Sequence, residues 1–336
     1  MTASADLRRR AVLMLLVANA CWGLSFPLMK AVGLVQQQLA PESGSWFTTA
    51  TMVAPRFILA ALVIAIGFGR SLARFTRAEW RQGLGLGLFA SLGMLFQADG
   101  IQYTDASTSA FLTQFYAILI PVYLALRSRR SPGFRVWLAA GLVLVGVAVL
   151  GRFDWRALTL GRGEAETLLA SVFFMGQILW LERPEFAGNR PLRITLVMFL
   201  VEGLAFLGLG AFTAPSAAAV VAPLLLPAWW GLTIGLTVFC TLGAFILMNT
   251  WQPRITATEA GLIYCVEPIF GSVFALFLPG WFAAWALIQY PNETATTHLL
   301  IGGGLVTLAN VIVQLRSTTT PPRELATATA GASRLS

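Results

Sequence analysis

The stretch GLIYCVEPIFGSVFALFLPGW, residues 261–281, is apolar nearly throughout, yet Glu267-Pro268 sits near its middle. A carboxylate at the centre of a membrane-length apolar span costs on the order of a few kcal/mol, so it must turn toward polar company and away from lipid. Ala260, Tyr264, Glu267 and Gly271 fall at i, i+4, i+7 and i+11, one stripe of a helix. Pro268 removes a backbone donor and frees a carbonyl one turn earlier. Glu267 has two open readings. It can line a pathway as a cation contact or proton carrier, or it can be an interior carboxylate hydrogen-bonded near a kink to Arg56 or a hydroxyl. Glu202, in VMFLVEGLAF, is a second acid at span depth, either a further proton site or a protonated group packed on a neighbouring helix. Arg56 follows Pro55 inside another apolar run. A permanent cation there needs a substrate carboxylate or an internal acid as partner.

Uncharged candidates accompany these charges. Asn19, Gly23, Phe26 and Lys30 repeat the i, i+4, i+7, i+11 spacing, with Trp22 adjacent, and mix amide, aromatic and glycine in a way that suits a cavity wall better than lipid. Lys30 also reads as a cation snorkelling at a span end. Phe173, Gln177 and Trp180 form a comparable stripe. Gln97, Tyr103, Gln114, Asn249 and Trp251 could contact solute, bond between helices or anchor at the interface. Together Asn19, Trp22, Phe26, Arg56, Gln97, Gln114, Gln177, Trp180, Trp251, Tyr264 and Glu267 are the expected solute contacts, with Glu267 and Glu202 the expected coupling acids. Asp99 and Asp105 are expected to be hydrated near span ends. Glu164 and Glu166 suit a helix N-terminus. His298 reads as an interface residue, and Asn292-Glu293-Thr294 matches a glycosylation sequon.

Other chemistries find little support. One histidine, no HExxH and no GxSxG leave an intramembrane enzyme few parts. No GxxxxGK[ST] provides an ATPase site. Cys21, Cys240 and Cys265 lie inside apolar windows without CxxC spacing, so neither a disulfide framework, a metal site nor a cofactor is expected.

The elements that must position these residues are membrane spans. The 336 residues are 57% hydrophobic and 11% charged, with a mean hydropathy of +0.73, whereas soluble domains carry about 25% charged residues. Ten apolar windows approach the ~20 residues that cross a bilayer: 11–32, 48–68, 83–101, 105–126, 134–151, 163–181, 193–213, 229–249, 256–278 and 299–315. Alternating sides from a cytoplasmic N-terminus, the inside segments hold 18 of the 23 Lys and Arg. That bias predicts an even number of spans and both termini inside. It also assigns the +8 net charge to membrane insertion, not to nucleic acid. Arg8–Arg10 followed by an apolar run resembles a signal peptide, but the run continues through Trp22–Phe26, which favours an uncleaved first span.

The chain also repeats itself. SLGMLFQADGIQYTDAS (91–107) parallels TLGAFILMNTWQPRITA (241–257), aligning Leu92-Gly93 with Leu242-Gly243 and Gln102 with Gln252 at an offset of 150. Pro121 and Pro268 follow in the next span of each half, which sets Ile120 against Glu267. Five spans per copy require the copies to face opposite ways, a recurrent transporter design. The expected parts are a cytoplasmic N-terminus (1–10), a first five-helix repeat (11–151), a second (161–316) and a disordered cytoplasmic tail (317–336).

Trp22-Gly23 with Phe26 and Lys30, Arg56-Phe57, FQADGIQYTDASTSAFL (96–112) with Pro121, NTWQPRITATEAGLIYCVEP (249–268) and Gly302-Gly303-Gly304-Leu305 occur in order over residues 11–316. On these the chain resembles the EamA-type branch of the drug/metabolite transporter superfamily. The resemblance implies an all-α membrane protein with ten transmembrane helices in two inverted five-helix repeats around a central cavity. It further implies alternating access and movement of small metabolites, often amino acids, usually outward. Glu202 and Ile120 depart from the family pattern. The expectation is a secondary transporter exporting a small amphipathic solute across the cell (inner) membrane. A channel or sensor without coupled transport is the alternative, and an intramembrane enzyme a more distant one.

Overall fold

The computed structural model describes residues 2–69, 74–127, 129, 134–150, 160–255, 260 and 263–314. Most of these are helical, with no strand among the described residues. The first half holds α1 (Thr2–Leu39), α2 (Ser45–Phe68), α3 (Arg77–Gly100), α4 (Ala106–Thr113), α5 (Tyr116–Arg127) and α6 (Phe134–Leu150). The second holds α7 (Arg162–Leu181), α8 (Pro191–Thr213), the short α9 (Ala217–Val221), α10 (Pro227–Gly235), α11 (Ala244–Trp251), α12 (Glu267–Phe277), α13 (Pro279–Ala286) and α14 (Thr297–Gln314). A π-helical stretch, Leu236–Gly243, joins α10 to α11. The tail 317–336, the edge of the first repeat at 151, and Arg152 and Arg156 lie outside the described residues.

Among the described residues six segments are long and apolar enough to cross a membrane, and a seventh if α12 and α13, bent by 49° at their junction, form one span. Three of the ten windows fall short of that test in different ways. α3 carries Arg77, Glu79, Arg81, Gln82 and Gln97 among its glycines, while α6 and α14 are only 17 and 18 residues long. The molecule is a multi-pass membrane protein.

Arg74, Arg81, Arg183, Arg190 and Arg193 gather at one end of the bundle around Glu79 and Glu185. Glu79 at the start of α3 meets Arg193 at the start of α8, with Nη1 donating at 3.1 Å. Thr76 and Glu79 also form a reciprocal capping box that fixes where α3 begins. At the opposite end Lys30 Nζ donates to the Thr104 carbonyl at 2.5 Å, and the Thr104 hydroxyl donates to Glu164. Arg162 pairs there with Asp99 and Glu166. Asp99 is thus buried and ion-paired instead of hydrated, because α7 brings a cation to it. Asp105 is exposed as expected.

The bundle centre is built from α2 on α8, α3 on α7 and α8, and α1 on α11 and α12. α6 and α14 pack on each other to one side. A Cβ added at Gly146 would stand 2.9 Å from the Gly302 carbonyl, and the converse holds, so backbones meet where only glycine fits. The main apolar core runs through both halves, and Leu112, Val143, Leu150, Val306 and Ala309 make a separate cluster under α6 and α14.

Candidate functional site

Two helical segments are interrupted along their length. The span 106–127 is interrupted at Gln114-Phe115, between α4 and α5. In the second half a turn at Cys265-Val266 precedes α12, which begins at Glu267 with Pro268 in its first turn. Pro is tolerated there because its missing N–H would have no helical acceptor, and a carboxylate suits the positive end of the dipole. The Glu-Pro pair therefore starts a helix; it does not kink one. The breaks lie 151 residues apart, which places Tyr116 opposite Glu267 in the comparison of halves. Aligning Pro121 with Pro268 had set Ile120 there, but Pro121 lies inside α5, past the break.

The broken helices meet. Gln114 Nε2 donates to Glu267 Oε2 at 3.2 Å, both side chains being buried. α4 and α12 approach closely enough that a Cβ on Gly271 would stand 2.9 Å from the Ala110 Cβ. Beside this contact lies a small cavity of about 60 Å³. Six expected residues line it: Trp22, Arg56, Gln97, Gln177, Tyr264 and Glu267. Trp22 packs edge-on against Tyr264 and Phe245, with ring centroids 5.7 and 5.4 Å apart. Gln97 Nε2 donates to Thr113 Oγ1 at 2.9 Å, which ties α3 to α4 across the wall.

The other five expected contacts do not line the cavity. Asn19 is fully buried, with Nδ2 donating to the Leu15 carbonyl at 2.6 Å. Phe26 belongs to the core between α1 and α12, because Gly23 on the same stripe lets α12 come within contact of the α1 backbone. Gln114 sits behind Glu267. Trp180 lies on Gly85 of α3 and donates from Nε1 to the Gln82 carbonyl at 3.1 Å. Trp251 carries the Arg254 guanidinium over its ring at 4.5 Å. Phe173, from the same stripe as Gln177, stacks on Phe96. One step around each helix, Ser25, Phe174 and Ile178 face the cavity. Met94, Thr113, Tyr116, Phe245 and Met248 complete the wall. Tyr116 was legible only once the breaks were aligned; nothing in the sequence singled out the others.

Arg56 is 1% exposed and reaches the cavity from α2. Its Nη2 makes one weak contact, 3.6 Å to Met94 Sδ, and Nε and Nη1 have no hydrogen-bond partner among the described residues. Glu202 on α8, fully buried, is an acid that Arg56 feels electrostatically, yet neither of its oxygens is hydrogen-bonded among the described residues. Glu202 thus faces the bundle, not lipid. Cys240 lies fully buried in the π-helical stretch, and such stretches recur at functional sites.

Comparisons agree with this architecture. Residues 9–152 match the EamA-like transporter family. An uncharacterized transporter of Archaeoglobus fulgidus is 25% identical over 296 residues, covering 88% of this chain and 82% of its own. A solved structure described only as a protein crystal structure superposes with a TM-score of 0.56 at 17% identity, covering 93% of this chain and all of its own, and so shares the fold. The EamA-like match thus falls on the first half of the chain, and the likeness to a protein named as a transporter runs over most of its length.

Proposed function

We propose that this protein is a secondary transporter that moves a small amphipathic metabolite, an amino acid or related solute, by alternating access. The observation that carries the reading is the meeting of two broken helices, through Gln114 and Glu267, on the wall of a cavity. Broken spans at the midplane of repeated halves are where transporters hold solute, because freed backbone and polar side chains need a wet, enclosed setting. The cavity wall, mostly apolar and aromatic with a few placed polar groups, has the chemistry of a small-ligand site. The unpartnered Arg56 donors would take a carboxylate, Glu267 an ammonium group or proton, and Trp22, Phe174, Phe245 and Tyr264 the apolar part.

The packing supports two inverted five-helix repeats spanning 11–151 and 161–316. Exchanging halves turns α3–α7 contacts into α11–α1 contacts and α4–α7 contacts into α12–α1 contacts, and α2–α8 and α6–α14 map onto themselves. The arginine-rich end is the cytoplasmic side of the inner membrane, with both termini there, by the charge bias. Export is the direction the family resemblance implies.

The test is a metabolite-resistance screen in cells with and without the protein, then counterflow of the hits in proteoliposomes. Saturable uptake with counterflow is expected, with flux or its pH dependence altered in Glu267→Gln. Constitutive, unsaturable flux would make the protein a channel, and wild-type behaviour of Glu267→Gln would remove the carboxylate from the cycle.

A further inference from the structure

The repeat-related glutamines Gln102 and Gln252 occupy opposite mouths of the bundle. At the mouth away from the arginines, Gln102 Oε1 accepts from Gln37 Nε2 at 3.2 Å, and its own Nε2 donates to Thr49 Oγ1 at 2.9 Å. At the arginine-rich mouth, Gln252 Oε1 accepts from the Tyr264 hydroxyl at 2.6 Å, and its Nε2 donates to Glu182 Oε1 at 2.9 Å. Gln37 is on α1 and Glu182 ends α7, the corresponding helices of the two halves. Each mouth thus has a glutamine-centred device, but the bonds differ: Gln37 donates to Gln102 whereas Glu182 accepts from Gln252, and only the device at the arginine-rich mouth ties a cavity-lining tyrosine to a carboxylate.

That device bears directly on the cavity. Tyr264 lines it and is 1% exposed, Gln252 is fully buried, and Glu182 is partly exposed beyond the last turn of α7. The tyrosine ring is thus held between cavity and mouth from behind. We propose that Glu182 is the latch of the arginine-rich mouth: ionised, it holds the Gln252 amide and through it the Tyr264 hydroxyl across the cavity floor; protonated, it lets that floor open. This rests on the alternating-access reading.

The surroundings of Glu182 allow such a switch. Burial pushes its carboxyl up to about 7, only partly opposed by the Gln252 hydrogen bond. Tyr264 is the titratable group that faces it from its segment, and Gln252 is uncharged. The nearby cations are turned elsewhere. Arg183 lies over Trp180 at 4.3 Å and pairs with Glu185, and Arg254 lies over Trp251 and donates to the Thr250 carbonyl. Hydrogen bonds to a carboxylate are roughly twice as strong as neutral ones. A folded-state value above the ordinary 4.5 means the ionised latch is present above about pH 7 and lost below it.

The test reads access to the cavity and needs no transported solute. Ser25→Cys is placed in a chain whose native Cys21, Cys240 and Cys265 are replaced by Ala. Inside-out vesicles then receive a membrane-impermeant cationic methanethiosulfonate. Comparing chains at equal pH cancels the pH dependence of the thiol itself. At pH 8, Glu182→Gln should label about fivefold faster than the chain retaining Glu182, as loss of a charge-assisted bond implies. At pH 5.5 the two should label alike. Tyr264→Phe, which removes the donor to Gln252, should label fast at both values and serves if Glu182→Gln does not fold. A ratio that stays constant across pH, or equal labelling at pH 8, overturns the latch. Because the readout is access, a failed latch leaves the transport reading to its counterflow test, and absent counterflow leaves the latch result standing.

Discussion

Gly23 is where α1 touches α12, and replacing it with Ala measures that contact. An added Cβ would stand 2.7 Å from both the Gly271 nitrogen and the Phe270 Cβ, and 3.0 Å from the Phe270 carbonyl carbon. Ordinary contact begins at 3.4 Å, so the helices must separate by about 0.7 Å, and the obstructing atoms are backbone and Cβ, which cannot rotate away. Overpacking of this kind costs about 1–3 kcal/mol. Ala gains about 1 kcal/mol of helix propensity over Gly. The net expectation is a loss of up to about 2 kcal/mol. Gly141 on α6 provides the control, since a Cβ there meets nothing within 4 Å, and Gly141→Ala should stabilise by up to about 1 kcal/mol. Thermal unfolding of both variants in the same detergent, followed by tryptophan fluorescence, reads the sign. Gly23→Ala melting at or above Gly141→Ala would refute the close approach of α1 and α12. With it would go the placement of Trp22 and Glu267 on facing walls of one cavity.

Arg56 and Glu202 should behave as a coupled pair. Both are buried and interact electrostatically, so the Arg56→Met/Glu202→Met double variant is expected to lose less stability than the sum of the two single variants; additive losses in SDS titrations would show that the two do not compensate each other. Glu79 should make the arginine-rich end acid-sensitive. Burial raises its carboxyl, but hydrogen bonds from Thr76 N, Arg193 and Arg190 N outweigh this and hold it below its ordinary 4.5. A depressed folded value adds stability above the unfolded value that is lost as pH falls through the folded one. The melting difference between wild type and Glu79→Gln should therefore shrink from pH 6 to pH 3.5, and a constant difference would contradict that assignment.

The helical spans, their rough limits and the charged end were legible in the chain. Apolar runs near bilayer length and arginines between alternate runs follow from the cost of bare backbone and of charge in hydrocarbon, which depends on composition and not on partners. Glu267 and Arg56 stood out for the same reason, since a charge at that depth has to be enclosed. The choice of helix face was different. Trp22 and Ser25 look into the cavity while Phe26 and Asn19 do not, and Gln177 does while Phe173 and Trp180 pack on α3. A membrane helix is apolar toward lipid and toward its neighbours alike, so its sequence carries little contrast to say which way it turns. The closest neighbour sets the rotation, and here that is α12 pressed on Gly23 and α3 receiving Trp180. The breaks at 114–115 and 265–266, the joining of Gln114 to Glu267, and the chain from Glu182 to Tyr264 depend on residues from 12 to 153 positions apart. Only the packed bundle could bring those groups within hydrogen-bonding reach.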